Sequence, residues 1–135
     1  MAVVPDRMHH CDLGLFNYQV TYTRDLLKNL CGQVAVDEFD KRLSEIPRFS
    51  GLKIFKHGFE NIKRFTADEF RNMMKVLVFI MDGLFIKHCS SSLKNRKGID
   101  KDLTNVYVYW NQMYIYSRQE NFSETMLIEF EVFNL

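Results

Sequence analysis

Between residues 5 and 14 the chain places Asp6, His9, His10, Cys11 and Asp12, then runs into an amphipathic pattern. Carboxylate, imidazole and thiolate are the groups that ligate divalent metals and move protons. If Asp6 opens a helical turn, His9 and His10 lie three and four positions on and share its face. An Asp and a His so placed can hold a divalent metal, or the Asp can orient the His as a base. His9, His10 and Cys11 are adjacent, so they point in different directions on a helix or a strand. All three cannot converge on one ion without irregular backbone, and a full zinc site needs three or four ligands. The plainer reading is that Asp6 caps a helix through its carboxylate and His9 packs at the surface.

Other chemistry-bearing residues are dispersed. His88-Cys89 reads as an exposed loop pair, and a Cys–His nucleophile would need a contact that spacing does not supply. Arg48, Lys53, Lys56, Lys63 and Arg64 cluster in one loop region. Lys87, Lys94, Arg96, Lys97 and Lys101 cluster around another. If both loops lie on one end of a bundle they form a positive surface that can touch phosphates. Otherwise they are two solvated loops. Asp37-Glu38-Phe39-Asp40 is expected to face water. Met73, Met74 and Met81 read as core by their helical spacing, with a plastic binding groove as the alternative. Tyr107, Tyr109, Trp110, Tyr114 and Tyr116 fall on more than one helix face, so some must be exposed; a stacking platform for bases is the functional version.

The elements that position these residues are mostly helical. Leu13, Phe16, Val20, Leu27 and Leu30 form a stripe over about residues 13–30, with Gly32 as a C-terminal cap. Val36, Phe39, Leu43 and Ile46 mark a second helix that stops at Pro47. Residues 48–64 read as a loop with one extended piece at 52–55. Thr66 and Glu69 form a capping box. Behind it Phe70, Met73, Met74, Leu77, Ile80, Met81 and Leu84 predict one buried helix to about Lys87. Residues 89–98 read as a polar loop. Ile99, Leu103, Val106, Trp110 and Met113 then set another helix, preferred over the strand that the composition of residues 106–109 would allow. Ser123 caps a last helix carrying Leu127, Ile128 and Phe133. Residues 2–5 resemble the tail of an apolar strand, and residues 129–135 stop without a helix stop signal. Both ends therefore read as those of a fragment, the alternative being ends that fray or pack on the bundle.

Length and composition bound the class. The chain has 135 residues, 47% of them apolar, enough for one domain with a real core. Two Pro and six Gly favour long regular elements. A net charge of +1 is below that of a dedicated nucleic-acid binder. Three cysteines without CxxC spacing do not make a disulfide framework, so a reducing compartment is expected. The first ten residues lack an apolar signal core, and no apolar run approaches the ~20 residues a membrane span takes.

The stretch PDRMHHCDLGLFNYQ resembles the Asp-x-x-His box of Plavaka-type DNA transposases, within the wider CACTA-like group. There the box similarly reads Pro-Asp-x-Met-His followed by an apolar Leu-Gly run; here it is Asp6-Arg7-Met8-His9, then Asp12-Leu13-Gly14. IPRFSGLKIF, FTADEFRNMMKVLVFIMD and YWNQMYIYSRQENFSE also resemble the region downstream, so the likeness extends over most of the chain. The resemblance implies an RNase H-like enzyme whose three acids bind two magnesium or manganese ions, with a helical region inserted before the last acid. Two metals would stabilise the attacking and leaving oxygens of a phosphodiester displacement. Asp6 and His9 match the box, and Asp6 is then a metal ligand or a structural neighbour of the ligands. The parts that should carry the first and last acids are missing from this sequence.

The expectation is a single mainly α domain or domain fragment, 1–135, an irregular bundle of about five helices. It would resemble the helical insertion and flanking part of an RNase H-like transposase domain. Function is expected to be that of a truncated or degenerate transposase-like protein without strand-transfer activity or a cofactor of its own. DNA contacts would fall to Lys53, Lys56, Lys63, Arg64, Lys94, Arg96 and Lys97. Missing transposase segments or a protein partner are the other expected partners, and a nuclear, intracellular location follows. The alternative is a free-standing helical protein-interaction module.

Overall fold

The structure, a computed structural model, describes Asp6 and residues 8–132, without the side chains of Phe130 and Val132. The apolar stretch at 2–5, Arg7 of the box and Phe133 lie outside the described residues. Among the described residues there are six α-helices and no strand. A π-wound segment, Met8–Phe16, runs directly into α1, Asn17–Cys31. Then follow α2 (Gln33–Ser44), α3 (Ala67–Met81), α4 (Leu84–His88), α5 (Arg96–Ser117) and α6 (Glu124–Val132). No described helix is long and apolar enough to cross a membrane.

The local signals act where the sequence puts them. The Thr66 hydroxyl accepts the Glu69 N–H at 3.3 Å, and the Glu69 carboxylate accepts the Thr66 N–H at 2.7 Å. That reciprocal pair satisfies two donors a helix start leaves open. Ser123 receives the Met126 N–H at 3.2 Å and starts α6. Gly32 ends α1 with its N–H on the Lys28 carbonyl. Residues 106–109 are helical, within α5.

The helix expected to run unbroken to Lys87 is two helices. Asp82 leaves the helical region with ψ 119° and Gly83 takes φ 68°, a left-handed turn. The break tips α4 so that Leu84 and Phe85 both enter the core. A break frees helix carbonyls, which need new donors. Arg42 on α2 supplies them, donating to the Ile80 and Asp82 carbonyls at 3.1 and 2.7 Å. The donor that satisfies the break therefore sits 40 residues away in sequence.

The stripes predicted for α1, α2 and α3 meet in one core. Phe16, Val20, Leu27, Phe39, Leu43, Met73, Leu77 and Met81 are all fully buried, and Tyr107 and Tyr114 close it from α5. Burying each such side chain contributes roughly 1.5–3 kcal/mol. Residues 45–65 are a loop with a single 3₁₀ turn, Ile62–Arg64, and no strand. Their apolar side chains plug the core instead of pairing in a sheet: Phe59 stacks on Phe39 with centroids 4.5 Å apart.

Three further expectations are corrected. Cys31 and Cys89 are joined by a disulfide, with Cα atoms 4.2 Å apart across a sequence separation of 58. Cys11 lies outside that bridge. An odd count excludes full pairing but not one bridge, and only the fold brings the end of α1 to the end of α4. His88-Cys89 is accordingly not an exposed pair: Cys89 is buried, and half-buried His88 has its Nε2 without a hydrogen-bond partner. In the acidic stretch of α2 only Asp37 is exposed, and it accepts the Gln33 amide at 2.9 Å. Glu38 binds Arg42 and Lys87, each at 3.1 Å, and Asp40 binds Arg24 at 2.9 Å. Burial pushes the Asp40 carboxyl up, against the pull of Arg24.

Candidate functional site

Asp6 does cap the first turn. Its Oδ1 accepts the N–H of Met8 at 3.0 Å and of His9 at 3.4 Å, and its Oδ2 pairs with His9 Nδ1. The hydrogen bond from the His9 ring is the chief cause holding the Asp6 carboxyl below its ordinary value. His10 Nδ1 turns instead to the Asp6 carbonyl oxygen at 2.8 Å. His9, His10 and Cys11 thus diverge, as adjacent residues must. The Asp-x-x-His spacing produces a carboxylate–imidazole pair in solvent, with both carboxylate oxygens committed.

Magnesium and manganese are hard cations that take oxygen ligands, commonly from more than one carboxylate. The donor set at the box is one carboxylate already engaged by two backbone donors and a ring. Among the described residues no three His, Cys, Asp or Glu side chains gather in metal-binding geometry. These residues do not fit a two-metal centre. Asp12, the second acid of the box, is turned inward instead. It is buried and accepts from Arg71 Nε of α3 at 3.2 Å. That pair clamps the π-wound segment to α3, and nothing local in the sequence announces it.

The cationic residues divide into two groups. α3 and α5 run antiparallel: the Asn111 amide of α5 donates to the Met74 carbonyl in the middle of α3. Arg118 at the end of α5 shares a cavity with Asp68 at the start of α3. The 53–64 loop therefore meets α3 at its N-terminus, while the 89–97 loop lies at the other end of the pair. A 15-residue helix such as α3 separates them by about 22 Å. The single positive end that would have united both loops does not exist.

At the first loop, Lys53 is spoken for. Its ammonium binds Glu69 at 2.7 Å, which is the main reason the Glu69 carboxyl lies below its ordinary value, and its N–H reaches Asn72. Lys56, Lys63 and Arg64 are exposed and have no carboxylate partner among the described residues. Lys56 and Arg64 line a cavity of about 430 Å³ together with His57, Asn61 and Phe65. The loop is held in place by buried Phe55 and Phe59, and by Gly58. A Cβ on Gly58 would lie 2.6 Å from the Asp40 carbonyl oxygen, so only glycine lets the loop approach α2 this closely. At the second loop, Arg96 is consumed in structure: it donates to the carbonyls of Ile86 and Cys89 and closes the end of α4. Lys94 and Lys97 remain exposed.

The aromatic set of α5 splits as its spacing requires. Tyr107 and Tyr114 are buried, Trp110 is half-buried and Tyr109 is exposed. Tyr107 meets the Thr23 hydroxyl at 2.6 Å, and burial raises its phenol well above the ordinary value. A base-stacking platform would need several exposed rings on one face, and these do not share one. Met73, Met74 and Met81 are core.

No family model, curated protein or solved structure matches this chain. The functional reading therefore rests on the residues themselves.

Proposed function

We propose that this chain is a helical, transposase-derived module that holds nucleic-acid backbone and does not carry out strand transfer. One observation carries the binding half of this reading. Lys56, Lys63 and Arg64 stand exposed without a carboxylate partner among the described residues, Lys56 and Arg64 beside a cavity, on a loop pinned by buried phenylalanines. Cations without internal partners are available to neutralise phosphates and release condensed counterions. The likeness of residues 6–14 to the transposase box supports the ancestry. The commitment of Asp6 to capping, and of Asp12 to Arg71, supports a box kept for its structure. Strand transfer would require further carboxylates to hold two ions, and Asp6 is the one acid here that matches the family. Accordingly, Asp6 and His9 are read as ancestral positions, with no step assigned to them.

Fluorescence anisotropy with a labelled duplex tests the proposal. Binding should appear at low salt, weaken steeply as salt rises, and fall in the Lys56→Glu and Arg64→Glu variants. Binding unaffected by either variant would remove the loop from the account. The second reading, a protein-interaction module, is favoured by a specific feature: large apolar side chains such as Tyr18, Tyr22 and Phe79 stand exposed on α1 and α3. An interface built on them should tolerate salt, which separates the two.

A further inference from the structure

The loop that carries the exposed cations also encloses a hollow. Its volume is about 430 Å³, and small-ligand pockets run from about 300 to 1,000 Å³. The inner side is apolar, with Phe55 buried and Ile54 and Phe65 half-buried. The Phe65 ring packs on Phe55 with centroids 5.6 Å apart, and on Phe70 at 5.8 Å. That packing holds the ring in place before a ligand arrives, which lowers the entropy lost on binding. The mouth is polar, because Lys56, His57, Asn61 and Arg64 are all exposed. His57 lies 4.0 Å from Glu60 with both side chains largely in water, so its imidazole is loosely held.

One acid lines the hollow as well. Glu69 is engaged by Lys53 and by the Thr66 N–H, each at 2.7 Å, and by the Thr66 hydroxyl at 3.1 Å. Those contacts keep it ionised. A phosphate pushed inside would meet that carboxylate, whereas an uncharged group would not. Phosphate belongs at the mouth, on Lys56 and Arg64. The hollow therefore suits a flat, uncharged group with hydrogen-bonding edges, joined to an anion that stays outside. An unpaired nucleotide has this make-up. A paired base does not reach the cavity, because a duplex offers a protein its phosphates, sugars and groove edges.

We propose that this cavity takes one unpaired base of a single-stranded nucleic acid, an assignment that rests on the backbone-holding role of the same loop. The flanking phosphates lie on Lys56 and Arg64. Phe65 gives the base an aromatic ring to lie against, a contact that any base can make. The Asn61 amide both donates and accepts at a base edge. His57 supplies a second ring at the mouth. Charge alone favours the other form of nucleic acid, since a single strand releases fewer counterions per phosphate contacted than a duplex does. A preference for single strand must then come from the cavity.

Fluorescence anisotropy on the full chain tests this with labelled oligodeoxyadenylate, an abasic strand of the same length, and a duplex. The first two carry the same phosphates and differ only in their bases. At low salt the base-bearing strand should bind about tenfold more tightly than the abasic one, and more tightly than the duplex. Asn61→Ala and Phe65→Leu should each bring that ratio below about threefold. Lys56→Glu should weaken all three probes. Circular dichroism checks that the variants fold, and Asn61, being exposed, keeps the test decisive if Phe65→Leu does not. Equal affinity for base-bearing and abasic strands, or a ratio unchanged in Asn61→Ala, would overturn the cavity assignment. Salt-sensitive duplex binding would in that case still uphold the backbone reading, whereas binding of no probe at all would overturn both. Free adenosine monophosphate competing as well as the strand would replace single-stranded nucleic acid with a free nucleotide and overturn the assignment too.

Discussion

Asp6 and Asp12 stand six positions apart and do opposite things. Asp6 stays in solvent and gathers the donors of its own first turn, with His9 folded over it. Its depressed carboxyl fixes a sign. A carboxylate whose pKa is lowered on folding contributes stability above its unfolded value, and that contribution is lost as pH falls through the folded value. NMR titration should therefore place Asp6 below 3.8, and His9→Ala should move it back toward 3.8. An unmoved midpoint in the variant would deny the His9 contact. Asp12 is buried, so its link to Arg71 counts for more. Arg71→Ala would leave Asp12 without its guanidinium and should destabilise the fold by about 3 kcal/mol, read by urea denaturation. The first of these contacts was legible in the sequence, because capping is local and its spacing is fixed. The second was not: the partners are separated by the whole of α1, α2 and the loop that follows.

Helices followed the same division. Stripes, caps and the Thr66–Glu69 box predicted α1, α2, α3 and α5, since each depends on residues within a few turns. Thr66→Ala should cost about 1 kcal/mol in denaturant melts. The break at Asp82-Gly83 was hidden because α3 and α4 are both apolar in the same periodicity. The left-handed Gly83 makes the turn, and the Arg42 guanidinium on α2 satisfies the carbonyls it frees. Gly83→Ala should lower stability by about 1–2 kcal/mol, the cost of a left-handed conformation with a Cβ. A neutral result would show that the two helices can merge. In the 45–65 loop, the apolar residues near Gly51 and Gly58 form no strand and instead anchor a coil whose cations face outward, which a local pattern cannot foretell.

For the molecule as a whole, two long-range facts reshape the reading. The Cys31–Cys89 bridge closes a loop of nearly half the chain. By chain entropy a loop of this length is worth about 4 kcal/mol. Reduction should lower the denaturation midpoint accordingly, while thiol titration of the unreduced, unfolded protein should find Cys11 alone. The antiparallel run of α3 and α5 sends the two basic loops to opposite ends, and leaves Lys56, Lys63 and Arg64 as the set that can act together. That set is the centre of the functional account, and the salt dependence of duplex binding tests it most directly. With three phosphates neutralised, the logarithm of affinity should fall against the logarithm of salt with a slope of about −2.7, and Arg64→Ala should reduce its magnitude by about 0.9. Duplex binding that is absent at low salt, or that keeps its slope without Arg64, would contradict it.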